Sequence, residues 1–139
     1  MPYRLLPDVA LADVAFEADS ATERGLFESA ARAMTDIMVD RGTVRARVEK
    51  TFTVGPEEPD RLLYDFLTEL IVLKDVDSLL FKRFKVVLLP GGRLTAKVSG
   101  EPIDRRRHRL RNDVKAVTMH MFGIRRAEGR LRATVVLDI

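Results

Sequence analysis

The stretch ATVVLDI, residues 133–139, sets the side-chain carboxylate of Asp138 beside the main-chain carboxylate of Ile139. Like charges so close repel unless something cationic lies between them. Read as a strand, the segment turns Leu131, Ala133, Val135, Leu137 and Ile139 one way and Arg132, Thr134, Val136 and Asp138 the other. The main-chain carboxylate can bend toward the Asp138 side. One further acid from a neighbouring strand would complete an oxygen-only pocket suited to a hard cation such as Ca²⁺ or Mg²⁺. Asp13, which opens the alternating stretch DVAFEAD, is the candidate donor. The competing reading is a strand that simply ends at a solvated edge, and spacing alone favours it.

Other chemistry is harder to assemble. His120 shares strand parity with Ala116, Thr118 and Phe122, so a half-buried, hydrogen-bonded imidazole is expected, more often structural than catalytic. His108 lies within RRRHRLR, residues 105–111, where a solvated basic loop is expected and contact with phosphate or an acidic protein is the alternative. No Ser or Thr sits on a glycine-flanked elbow. Neither a G-x-x-x-x-G-K-S/T loop nor a G-x-G-x-x-G after a strand is present, which disfavours an ATPase or a dehydrogenase. The sequence has no Cys, so disulfides, zinc-thiolate sites, iron-sulfur clusters and cysteine nucleophiles are excluded. The aromatic residues are mostly accounted for by core faces, leaving no stacking platform for single-stranded nucleic acid.

The elements that must position these groups follow from periodicity. Val14, Phe16 and Ala18 alternate as in a strand, and from Thr22 the apolar residues Leu26, Ala30, Ala33, Met34, Ile37 and Met38 recur at helical spacing, with Ser20 or Thr22 as cap. VRARVEKTFTV, residues 44–54, returns to period two with only Lys50 interrupting its apolar side. A second helix starts near Pro59 or Asp60 and carries Leu62, Leu63, Phe66, Leu67, Leu70 and Leu73. Two hairpins follow, one turning at Pro90-Gly91-Gly92 and one around Gly129, the latter joining VKAVTMHMFGIRR to RLRATVVLDI. At 139 residues the chain has room for one domain, residues 1–139, with a core of its own. The expected architecture is α+β: a single two-layer domain with two amphipathic helices on one face of a mostly antiparallel sheet. A net charge of +3 is not that of a dedicated nucleic-acid binder. No apolar run reaches bilayer length, so a soluble, unexported, cytoplasmic protein is expected.

Several stretches together resemble one family, archease, the small accessory protein of RtcB-type tRNA-splicing RNA ligases. They are ADVAFEA after YRLLP, LLYDFLTELIVLKD followed by LLF, GEPID with His108 four residues beyond Asp104, VKAVTMH, and the terminal VVLDI. They run in family order from residue 3 to residue 139, and the second-helix stretch and KAVTMH are the specific ones. The resemblance implies an archease-like fold and a divalent-cation site, Ca²⁺ or Mg²⁺/Mn²⁺, built from Asp13, Asp138 and the Ile139 carboxylate. It reverses the balance struck on spacing alone, in favour of the metal reading. One departure is Ala10-Leu11-Ala12-Asp13 where the family has His-Thr-Ala-Asp; the Asp is kept and the His and Thr are gone, with Asp8 a conceivable substitute. If that His supports the site through a hydrogen bond, affinity or geometry is altered here. Met119 stands where an aromatic residue is usual.

The implied function is non-catalytic: activation of a GTP-dependent tRNA-splicing ligase by promoting its guanylylation and multiple turnover. The partner is the ligase, tRNA is met only through it, and no membrane is involved. Glu101, Lys115 and His120 are expected on the same functional surface. Two rivals stand beside this reading. One is a small metal-dependent hydrolase or nucleotide-processing enzyme using Asp13 and Asp138 with His120 as base. The other is a basic RNA-binding module acting through residues 105–111.

Overall fold

The structure, a computed structural model, describes residues 3–6 and 13–139. In chain order the elements are β1 (Tyr3–Leu6), β2 (Asp13–Ser20), α1 (Glu23–Met38), a 3-10 turn (Arg41–Thr43), β3 (Val48–Val54), α2 (Pro59–Asp77), β4 (Leu79–Leu89), β5 (Arg93–Pro102), β6 (Ala116–Val117), β7 (Gly123–Ala127) and β8 (Arg130–Asp138). Thr22 caps α1, its hydroxyl accepting the Gly25 N–H at 3.1 Å. Pro59 occupies the first turn of α2, where its missing N–H costs nothing, and Ser78 stops the helix in a left-handed conformation. Both helices bury the faces their periodicity marked, except that Leu73 is only half-buried while Ile71 and Lys74 join the buried side of α2. Among the described residues no helix is long and apolar enough to cross a membrane.

Where a mostly antiparallel sheet was expected, every strand pairing among the described residues is antiparallel, and the strands form two sheets rather than one. One sheet runs β1-β2-β8-β6 with β7 also on β8, and the other runs β3-β5-β4. The helices pack on the inner faces of both, and a continuous apolar core joins Phe16 and Val135 of the first sheet to Phe66 of α2 and Val98 of the second. Alternation fixes which side of a strand is apolar, not which strands are neighbours, so one sheet and two are indistinguishable from it. The turns obey their residues: Gly91 and Gly92 take positive φ between β4 and β5, and Glu128 and Gly129 do so in the two-residue connection of β7 to β8. Lys50, the interruption in the apolar side of β3, reaches Asp77 at the end of α2 at 3.9 Å.

Two expected strands are shorter than their patterns. Residues 44–47 precede β3 instead of belonging to it. VKAVTMHMFGIRR breaks into β6 and β7, both paired with β8, while residues 118–122 loop out between them with Met121 at positive φ. His120 accordingly sits exposed in a turn, its N–H on the Thr118 hydroxyl at 3.2 Å, and not half-buried on a strand.

The loop from β5 to β6 carries the basic run, and part of it is structural. The Thr35 carbonyl takes the capping Val39 N–H, and the three carbonyls after it lack helical partners. Asp36 O is met by the Arg111 guanidinium, Ile37 O by Asn112 and Met38 O by Arg111 N–H. His108, expected in a solvated loop, is buried: its Nδ1 accepts the Asp104 N–H at 2.9 Å, which assigns the ring proton to Nε2, 2.8 Å from Glu101 Oε2. Glu101 also accepts the Arg45 N–H at 2.7 Å and pairs with Arg107. Hydrogen bonding from Arg107, then from His108 and the Arg45 amide, outweighs burial and lowers its pKa from 4.5 to about 2.

Two expectations follow. A Cβ at Gly100 would lie 1.8 Å from the Leu80 carbonyl oxygen, a backbone atom that cannot swing aside. Gly100→Ala should therefore cost about 2–3 kcal/mol in urea unfolding, the overpacking penalty of a close strand crossing. Because the folded-state pKa of Glu101 is depressed, its charge stabilises the fold above the ordinary value of 4.5, and that contribution is lost as pH falls toward about 2. Glu101→Gln should be clearly less stable than wild type at neutral pH, with the gap narrowing through that window. A gap independent of pH would show that the carboxylate charge is not what holds the loop.

Candidate functional site

β2 pairs with β8 along its whole length, from Asp13 opposite Asp138 to Ser20 opposite Leu131. Phe16, Ala18, Ala133, Val135 and Leu137 turn into the core, and this parity sends Asp13 and Asp138 together to the opposite face, away from the helices. Directly opposed residues on one face have Cβ atoms about 4.5–5.5 Å apart, and like charges so placed destabilise the pairing. Both aspartates are partly exposed, and among the described residues no Lys, Arg or His side chain forms an ion pair with either. Ile139 follows Asp138 directly and packs its side chain against the core.

The edge beyond β8 adds Lys115. Its N–H donates to the Asp138 carbonyl at 2.8 Å, and Ala116 lies opposite Asp138 in register. The backbone therefore holds Lys115, an exposed residue, on the segment that flanks Asp138. The looped-out residues 118–122 emerge from the same edge, carrying His120 between Met119 and Met121, which are 61% and 51% exposed. Glu101 is elsewhere: it lies on β5 of the other sheet, engaged with Arg107 and His108. Asp13, Asp138, Lys115 and the neighbouring loop are thus brought together, and Glu101 is not among them. Ala10, Leu11 and Asp8, where the family pattern is broken, lie outside the described residues.

Two carboxylates held side by side by a strand register form a donor set for a hard cation. No cluster of three or more His, Cys, Asp or Glu side chains able to hold an ion occurs among the described residues.

The model of the archease protein family matches residues 3–139. Protein archease of Methanothermobacter thermautotrophicus is 38% identical over 131 residues, covering 92% of this chain and 93% of that protein. Protein archease of Pyrococcus abyssi is 36% identical over 117 residues, 81% of this chain and 82% of the relative. The solution structure of Methanobacterium thermoautotrophicum protein 1598 superposes with a TM-score of 0.87 at 36% identity, with 99% of each chain covered. An archease from Thermotoga maritima, described as a possible chaperone, shares the fold at a TM-score of 0.67 and 20% identity, with 96% of each chain covered. A family match over nearly the whole chain, and relatives well above the identity at which fold and family go together, have one consequence: the chain belongs to the archease protein family.

Proposed function

We propose that this protein is a non-catalytic activator of a GTP-dependent RNA ligase of the RtcB type, and that it acts through a divalent cation held by Asp13, Asp138 and the main-chain carboxylate of Ile139. The single observation that carries the reading is the β2–β8 register, which sets Asp13 opposite Asp138 on an outer face. Nothing in the pairing of two strands requires two acids there, and their mutual repulsion works against it. Asp13 and Asp138 would hold a divalent cation by their carboxylate oxygens; the cation would neutralise the pair and supply Lewis-acid chemistry toward phosphate. Asp13 and Asp138 present the oxygens at a sheet margin, where a second protein can reach them. Lys115 lies on the segment that flanks Asp138. Met119 and Met121 supply an exposed, deformable apolar surface of the kind used in protein docking.

The hydrolase reading finds less support. His120 is exposed in a turn, and among the described residues its ring has no hydrogen-bonding partner to orient it as a base.

The test is guanylylation of the cognate ligase with GTP, under single and multiple turnover, with this protein at substoichiometric amounts. Wild type should stimulate it, and Asp13→Asn and Asp138→Asn should each reduce the stimulation by at least about tenfold, as for loss of a metal-supporting group. In parallel, Ca²⁺ or Mn²⁺ should raise the melting temperature of wild type and not of Asp138→Asn. Stimulation that survives both substitutions would overturn the metal reading; no stimulation by wild type would overturn the activator reading.

A further inference from the structure

The outer face of the three-stranded sheet collects cations of its own. Leu94, Ala96 and Val98 of β5 and Phe84 and Val86 of β4 enter the core, so Lys97, Ser99, Arg83 and Lys85 face outward. Lys85 lies directly opposite Lys97, and Arg83 opposite Ser99. A register shift between Phe81 and Arg83 makes Lys82 an extra residue in β4, so the bulge adds a second cation at this point. Arg32 from α1 and Arg41 from the 3-10 turn line the same groove. Arg41 is locked there, its guanidinium on the Lys82 carbonyl at 3.4 Å while the Lys82 ammonium donates to the Arg41 carbonyl at 3.0 Å.

The band continues into the anchored loop. Arg107 donates to the Thr43 carbonyl and Arg109 N–H to the Thr43 hydroxyl, which seats the loop against the 3-10 turn and leaves Arg105 and Arg106 exposed beside it. Nearby acids are few and mostly engaged. Asp36 pairs with Arg41 at 2.6 Å, Glu28 accepts the Val86 N–H at 2.9 Å, and Glu49 is 4.0 Å from Lys97. A like-charged pair directly opposed across two strands, flanked by further cations, is unfavourable until an extended anion covers it.

We infer that this face binds the sugar-phosphate backbone of RNA. An acidic protein partner would call for an apolar or aromatic anchor at the centre of the contact. Phe84 lines the groove but is only 7% exposed, too little to anchor a partner, and the exposed Val87 and Leu89 lie beyond Lys85 toward the hairpin tip. What accompanies the cations instead is hydroxyls: Thr51 opposite Lys97, the Thr53–Thr95 pair at 3.1 Å, and Ser99. Cations interleaved with hydroxyls suit phosphates and the 2′-hydroxyls displayed on the shallow minor groove of an RNA helix. With no exposed aromatic residue on the face, recognition is of the backbone and not of sequence. The inference stands on this charge distribution alone and does not need the ligase reading.

The test is fluorescence anisotropy with a labelled RNA hairpin of roughly 16 base pairs, the span of an ordinary double-stranded RNA module. The full-length protein is titrated across a range of KCl concentrations. Lys85→Glu/Lys97→Glu is compared with Arg24→Glu/Arg126→Glu, which makes the same charge change at exposed positions elsewhere, and thermal melts confirm that both fold. The sheet variant should bind roughly tenfold or more weakly than wild type, with the slope of log K against log salt reduced by about 1.5 to 2; the control should stay near wild type. Equal losses in the two variants would reduce the effect to net charge and overturn the inference, as would no binding by wild type. Tighter binding of polyglutamate, lost in the sheet variant, would assign the face to an acidic protein. Equal affinity for a DNA duplex of the same length would overturn the choice of RNA. Guanylylation without RNA, measured on the same sheet variant, separates the two proposals: it should remain stimulated here and fail in Asp138→Asn.

Discussion

The register of β2 on β8 is the constraint on which the rest depends. It runs without interruption from Asp13 opposite Asp138 to Ser20 opposite Leu131, and it joins segments from opposite ends of the sequence. A slip by one residue would exchange the faces, sending Asp13 inward and Phe16 to solvent. Burial of Phe16, Ala18, Ala133, Val135 and Leu137 therefore fixes the position of the carboxylates as firmly as any direct contact could. Burying one large apolar side chain is worth about 1.5–3 kcal/mol, whereas an unfavourable cross-strand pair costs about 0.2–1 kcal/mol. The core wins, and the acids stay opposed.

Charge in this molecule divides into compensated and less fully compensated groups. Glu101 is nearly inaccessible, yet Arg107, His108 and the Arg45 amide account for it, and the result is an anchor for the loop that closes the end of α1. Lys74, buried on α2, is likewise held by Asp75 and Asp113, whose hydrogen bonds raise its pKa against the opposing effect of burial. The Asp13–Asp138 and Lys85–Lys97 pairs are less fully compensated: among the described residues neither aspartate has an ion-pair partner, and Lys97 has only the exposed Glu49 at 4.0 Å. Each sets like charges against one another on an outer sheet face, where water lowers the cost without removing it. Neither pair is needed to hold a strand in place.

Much of this was legible in the sequence. The alternation of DVAFEAD and ATVVLDI gives both strands and the faces of their aspartates, and the helical stripes and glycine turns are equally plain. The register between the two strands was not legible, since no short turn connects them. The buried Glu101–His108 contact escaped because a loop makes it, and a run of arginines around a histidine looks solvated when its partners are helix carbonyls far away in the chain. The break at residues 118–122 has no breaker residue inside it. The Lys85–Lys97 pair could have been found: a turn at Gly91-Gly92 that sets Leu89 opposite Arg93 also sets Lys85 opposite Lys97 by counting back four residues on each strand.

The two like-charged pairs lie on different sheets, each on the face turned away from the helices. Side chains that face the core are committed to packing, so only outer faces and loops remain free to carry charge for other molecules. A protein docked over Asp13, Asp138 and the 118–122 loop would contact one sheet and its margin, leaving the cations on β4 and β5 on the other. The two sites therefore lie on separate sheets of a small scaffold, with α1 and α2 packed against both.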